Sequence, residues 1–129
     1  MVLIDTSYWL EFFNPEGRSA YADTVGMYMK AGEAVICETV LIELQELAGT
    51  ADTEVLEIIE ATIPCLPVTD EVEAEVSRLA NIAVRSGKSI PRANALIFAT
   101  AKAHGVELLH DDGYYEALAL LSRSWVPDF

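Results

Sequence analysis

The sequence predicts an α/β fold, a three-layer α/β/α sandwich around a central parallel sheet of four or five strands. Short apolar, β-branched runs recur along the chain, each followed by a segment of helical length with apolar residues at helical spacing. That alternation gives parallel sheets covered by helices. The 129 residues, 52% of them hydrophobic, are expected to form one domain, 1–129, large enough to bury a core without staples.

Val2 to Ile4 is a β-branched run closing on Asp5 and reads as a buried first strand. Thr6 and Ser7 are placed to cap a short helix through Phe13, which Asn14-Pro15-Glu16-Gly17 breaks. Arg18 to Ala31 reads as a second helix stopped by Gly32, and Ala34 to Cys37 as a second strand. Thr39 opens a third helix, with apolar Val40, Leu41, Leu44 and Leu47, ending at Gly49. Asp52 to Thr62 is helical again. Cys65 to Val68 makes a third strand, and Pro67 assigns it to a sheet edge because proline cannot donate to a ladder. Asp70 with Glu73 matches an N-cap and its reciprocal carboxylate, opening a helix to about Ser86 that Gly87 ends. Pro91 suits the first turn of the next helix, which Gly105 terminates. Val106 to Leu109 is a fourth strand, His110 to Gly113 a loop and Tyr114 to Leu121 a last helix, with Trp125 and Val126 available for a fifth strand.

Eight lysines and arginines against 21 aspartates and glutamates give a net charge of −13. This disfavours a protein that coats DNA or a polybasic membrane binder. It does not exclude an enzyme that reaches phosphates through metal ions, which clustered acids hold. Cys37 and Cys65 lie in apolar runs and read as reduced, buried small hydrophobes, too few for a disulfide scaffold or a cysteine-based zinc site. The opening MVLIDTSYWLEFF carries Asp5 and Glu11 and no basic n-region, so a signal peptide is not expected. No stretch approaches the roughly 18 apolar residues of a membrane span. A cytoplasmic location is the expectation.

In open parallel sheets ligands bind beyond the carboxyl ends of the strands. Asp5 and Asp112 stand just after the first and fourth strands and are candidates for one shared site. Each also has a plainer reading: Asp5 as a helix cap, and Asp112, followed by Gly113, as a turn residue. Glu43 lies in an otherwise apolar helix, where a solvated position is the default for a lone glutamate.

Together these residues resemble the PIN-domain nucleases, in particular the VapC-type toxins of toxin–antitoxin pairs. VLIDTSYWLEFF is similar to that family's opening strand and Asp-Thr-Ser turn, and CETVLIELQEL to its second-strand exit with a helical glutamate. IPRANALIFATAKAHGVELLHDD is similar to its closing block of helix, glycine, strand and last aspartate. The resemblance implies a PIN-like fold and an endoribonuclease whose acids bind Mg²⁺ or Mn²⁺ and hydrolyse RNA. It puts the four acid positions at Asp5, Glu43, Asn94 and Asp112, with Ser7 and Asp111 in support. Three positions depart from the family pattern: Asn94 replaces an acid, His110 stands where threonine is common, and Tyr114 where a further aspartate is frequent. The resemblance also implies homodimers and a cognate antitoxin gripped by the aromatic first two helices.

The chemistry of the residues agrees. Phosphodiester cleavage needs a positioned water and stabilisation of charge on the phosphate oxygens, which hard cations held by carboxylates supply. No zinc spacing of His or Cys is present; His104 and His110 are not one helical turn apart. From Glu75 to Glu107 the chain has no intervening acid, while Arg78, Arg85, Lys88, Arg92 and Lys102 provide five of its eight cations. A polyanion approaches most easily there, so Arg85, Lys88 and Arg92 are candidate RNA contacts; the plainer reading is a set of solvated helix-face cations. Asn94 is expected to project from the buried side of its helix's first turn, near Asp5 and Asp112.

Two other functions compete. A phosphoryl-transfer hydrolase using Asp5 would want a second aspartate where Ser7 stands, and GKS at Gly87 to Ser89 lacks the strand and leading glycine of a phosphate loop. A non-catalytic PIN-like module binding RNA or protein is the stronger competitor, because of Asn94.

Overall fold

A computed structural model describes residues 1–14, 16–17, 19–47 and 53–123. The elements follow in the order β1 (Val2–Ile4), α1 (Thr6–Phe13), α2 (Ser19–Lys30), β2 (Ala34–Cys37), α3 (Glu38–Leu47), α4 (Thr53–Thr62), β3 (Cys65–Leu66), α5 (Asp70–Arg85), α6 (Arg92–His104), β4 (Glu107–Leu109) and α7 (Gly113–Arg123).

The strands form one parallel sheet in the order β3-β2-β1-β4. Val2 and Leu3 pair with Ala34 and Val35 on one side of β1, and Val2 to Ile4 pair with Glu107 to Leu109 on the other. Every residue of β1 and β2 is buried, which for alternating side chains requires cover on both faces of the sheet. Helices provide it. α1 packs on α2 and α3, while α5, α6 and α7 pack on one another. Leu3, Ile4, Ile36, Val40, Leu44, Ile59, Leu79, Ile97 and Leu118 meet in the core between these layers. β3 holds the edge as expected, but it ends at Leu66: Pro67, with no amide proton to give to a ladder, stops the strand short of the expected Val68. The expected strand at Trp125 and Val126, and the helix end at Gly49, lie outside the described residues.

Three local expectations are corrected. α1 begins at Thr6 with Asp5 in the cap position, so neither Thr6 nor Ser7 caps it. α5 is capped by Thr69, whose hydroxyl accepts from the Val72 amide, because Asp70 is already helical. Cys65 is exposed, since it lies on the two-residue edge strand, which has β2 on one side only; Cys37 is buried as expected.

Candidate active site

The crossover topology brings four chain segments to one end of the sheet. The Asp5 amide donates to the Leu109 carbonyl at 3.0 Å, so the exit of β1 is tied to the exit of β4 and Asp5 faces the loop that carries Asp112. α3 leaves β2 directly and presents Glu43 beside its buried stripe of Val40 and Leu44. α6 brings Asn94 in its first turn, where the next residue, Ala95, is buried and Asn94 half-buried. Asp5, Thr6, Ser7, Leu10, Glu43, Ala93, Asn94, Ile97, Asp112 and Tyr115 line a cavity of about 220 Å³ there. The four family positions meet in one pocket.

Asp5 adopts cap geometry, φ −72° and ψ 159°, yet its carboxylate makes no capping bond to the helix. Its oxygens face other side chains. Tyr115 Oη donates to Oδ1 at 2.8 Å, and Ser7 Oγ reaches Oδ2 at a long 3.4 Å. Only 6% of Asp5 is exposed. Burial pushes its carboxyl above the ordinary value, the Tyr115 hydrogen bond opposes that shift, and the nearby charge of Asp112 adds to it. Glu43 is raised likewise, first by burial, against the hydrogen bond that Thr6 Oγ1 donates to its Oε1 at 2.8 Å and with Asp5 adding repulsion. Asp112 divides its oxygens. Oδ1 accepts from the Tyr114 amide at 2.9 Å, the turn role of an Asp-Gly pair, while Oδ2 accepts from Asn94 Nδ2 at 3.2 Å. The Asp112 amide in turn donates to His110 Nδ1 at 3.2 Å, so this histidine accepts there.

Among the described residues no lysine or arginine forms an ion pair with Asp5, Glu43 or Asp112. Nor do three acidic, imidazole or thiol groups converge as a ready ligand set. Glu43 is turned toward Thr6 and Asp112 toward Asn94. The donor set fits a hard divalent cation in chemistry: three carboxylates and an amide carbonyl around one cavity, two of the acids raised by burial and mutual repulsion.

Other sequence candidates lie elsewhere. Asp111 is exposed and accepts from Tyr21 Oη at 2.8 Å, joining the β4 exit to α2 outside the cavity. Arg92 pairs with Glu73 at 2.9 Å, bridging α6 to α5. Arg85 is exposed in the last turn of α5, and Lys88 lines a separate apolar cavity of about 350 Å³ with Val76, Leu79 and Leu118. None of the three lines the carboxylate pocket. Conversely, sequence reading missed Tyr115 and Thr6. Tyr115 is 2% exposed, and burial beside the charge of Asp5 raises its phenol strongly. Its signal was present: Tyr115, Leu118 and Leu121 share the buried face of α7, and a phenol on such a face needs a partner.

The PIN domain family model matches residues 2–121. Ribonuclease VapC11 of Mycobacterium tuberculosis is 28% identical over 135 aligned positions, covering 100% of this chain and 99% of that protein. Among solved structures, FitAcB from Neisseria gonorrhoeae superposes with a TM-score of 0.72 at 22% identity, over 92% of this chain and 93% of that one. Mycobacterium tuberculosis VapC20, described as a Sarcin-Ricin loop cleaving toxin, superposes with a TM-score of 0.67 at 17% identity, over 91% and 94%.

Proposed function

The chain belongs to the PIN domain family, and on that footing we propose that it is a metal-dependent endoribonuclease, the toxin of a VapBC-type pair. The observation that carries this reading is the pocket itself, where Asp5, Glu43, Asn94 and Asp112 line one cavity at the strand ends and, among the described residues, no basic side chain lines it with them. Asp5, Glu43 and Asp112, with the Asn94 carbonyl, are the residues that would hold Mg²⁺ or Mn²⁺. The bound ion would supply a deprotonated water and a charge clamp on the phosphate.

The protein's own groups do the rest. Thr6 orients Glu43, and Tyr115 fixes one oxygen of Asp5 so that the other faces the cavity with Ser7. Asn94 keeps a carbonyl donor but supplies no charge and no base. The four-position site therefore carries three formal charges, and the chain is expected to be a weak nuclease as written. A cognate antitoxin belongs to the same reading, supported by a similar fold in a structure described as a toxin–antitoxin complex from Klebsiella pneumoniae; a homodimer is the further expectation of the family resemblance.

Two measurements test it. Titration calorimetry is expected to show Mn²⁺ binding that Asp5→Asn and Asp112→Asn each weaken; unchanged affinity in both variants removes the site. Single-turnover RNA cleavage, abolished by EDTA, is expected to rise about tenfold or more in Asn94→Asp, the usual scale of a catalytic group. A variant no faster than a cleaving parent puts Asn94 outside the metal site, whereas no EDTA-sensitive cleavage by either form favours the non-catalytic module, for which Asn94 is the specific observation.

A further inference from the structure

Glu43 and Asn94 stand within helices, and Asp5 is the one residue between β1 and α1. Asp112 stands in the longer stretch, His110 to Asp112, that joins β4 to α7. Side chains on loops are held less precisely than those on helices or strands. Asp111, next to Asp112 in this stretch, is tied to a distant element: Tyr21 Oη on α2 donates to Asp111 Oδ2 at 2.8 Å, across 90 positions of sequence. The Tyr21 ring is itself held, stacked on Tyr8 with centroids 4.2 Å apart and planes 12° apart. Tyr8 lies in the first turn of α1, packs against the core, and its amide donates to the Asp5 carbonyl at 3.2 Å. A continuous path thus runs from Asp5 through α1, the two rings and Asp111 to Asp112. It passes outside the cavity, which none of Tyr8, Tyr21 and Asp111 lines.

We propose that Tyr21 is a positioning residue: through Asp111 it braces the β4–α7 loop against α1 and α2, and so sets the place of the Asp112 carboxylate relative to Asp5. That this placement governs cation affinity rests on the reading of the pocket as a cation site; the bracing itself does not. Stacking on Tyr8 asks only for a ring at position 21, whereas the tie to Asp111 asks for its hydroxyl. The hydrogen bond from Asn94 is no substitute, because it takes up an oxygen of Asp112 that a bound ion would draw on. The Tyr21 tie leaves both oxygens of Asp112 out of its path.

Tyr21→Phe keeps the stacked ring and removes the tie. The Tyr114 amide reads the result, since it donates to Asp112 Oδ1 at 2.9 Å. In ¹⁵N-labelled protein in EDTA, that amide is expected to exchange with water about fivefold faster in Tyr21→Phe, the scale of one hydrogen bond. The Asp5 amide, bonded to the Leu109 carbonyl, is expected to stay as it is. A tyrosine that only packs α2 on α1 would lower Tm without moving the Tyr114 amide. Calorimetry is expected to show Mn²⁺ affinity about fivefold weaker in Tyr21→Phe. Asp111→Asn and Asp111→Ala remove the same charge, but only Asp111→Asn keeps an oxygen for Tyr21. Asp111→Ala is therefore expected to bind Mn²⁺ more weakly than Asp111→Asn and to exchange its Tyr114 amide faster, and this pair decides the matter should Tyr21→Phe not fold. A Tyr114 amide unmoved in Tyr21→Phe, or equal behaviour of Asp111→Asn and Asp111→Ala, overturns the bracing. Unchanged Mn²⁺ affinity in Tyr21→Phe overturns its hold on the cation site. A parent that binds no Mn²⁺ removes the nuclease reading instead, and the amide exchange in EDTA then decides the bracing alone.

Discussion

Asp5 sits where a charged carboxylate costs stability and serves function. Burial raises its pKa, and that of Glu43, above the values the unfolded chain would have. The sign follows from linkage: such groups contribute most below the ordinary carboxylate range, and the contribution is lost as pH rises through the raised folded values. Asp5→Asn removes the charge and keeps an acceptor for Tyr115. In EDTA at pH 7 it is expected to gain about 1 kcal/mol, roughly 2–6 °C in Tm for a domain of this size. The gain should shrink as pH falls through the raised value of the parent's carboxyl; calorimetry from pH 4 to 7.5 reads the gap, and a constant gap contradicts the assignment. Asp5 and Asp112 stood out in the sequence because each follows a strand whose carboxyl end opens on one side of the sheet, whereas Glu43, in the middle of an apolar helix, stood out only through the family resemblance. Tyr115 did not, because periodicity assigns a residue to the core face without saying what its polar end touches.

At the scale of elements, local chemistry fixed the order and type of the described helices and strands, and tertiary context set their ends. Thr69 and Asp70 are both good caps in isolation. Thr69 wins because its hydroxyl reaches the Val72 amide at 3.2 Å, which leaves Asp70 and Glu71 in the first turn to face the helix dipole. Glu73 is then released from capping and pairs with Arg92 on α6. Thr69→Ala is expected to cost about 1 kcal/mol in urea unfolding, and Asp70→Ala only a few tenths; equal losses would restore Asp70 as the cap. Chain termination signals were equally readable where backbone strain demands them. Gly105 ends α6 at φ +65°, a conformation that disfavours any side chain.

For the whole molecule, the charge map changes meaning once side chains are paired. Arg78 and Lys102 both bind Glu75, and Arg92 binds Glu73, so three cations of the acid-free window are held by acids just before it. A polyanion would therefore meet a protein of net charge −13 whose carboxylate pocket has no basic lining among the described residues. A protein partner with basic side chains has the complementary charge. Co-purification with the small protein of the adjacent reading frame is expected, with an affinity that falls as salt rises from 0.05 to 0.5 M; a salt-independent complex would place the contact on the exposed apolar side chains, Ile42, Leu47 and Ile58 among them.

β1 lies in the middle of the sheet, between strands that come much later in the chain. Its partners are Ala34 and Val35 on one side and Glu107 to Leu109 on the other. Asp5 is thus without the strand that completes its surroundings until β4 has formed, and Asp112 follows that strand. Folding of the central sheet waits on a pairing between segments far apart in sequence, which is slow to form. The pocket assembles with that last pairing and comes apart with it, so whatever loosens β4 from β1 also disperses the carboxylates.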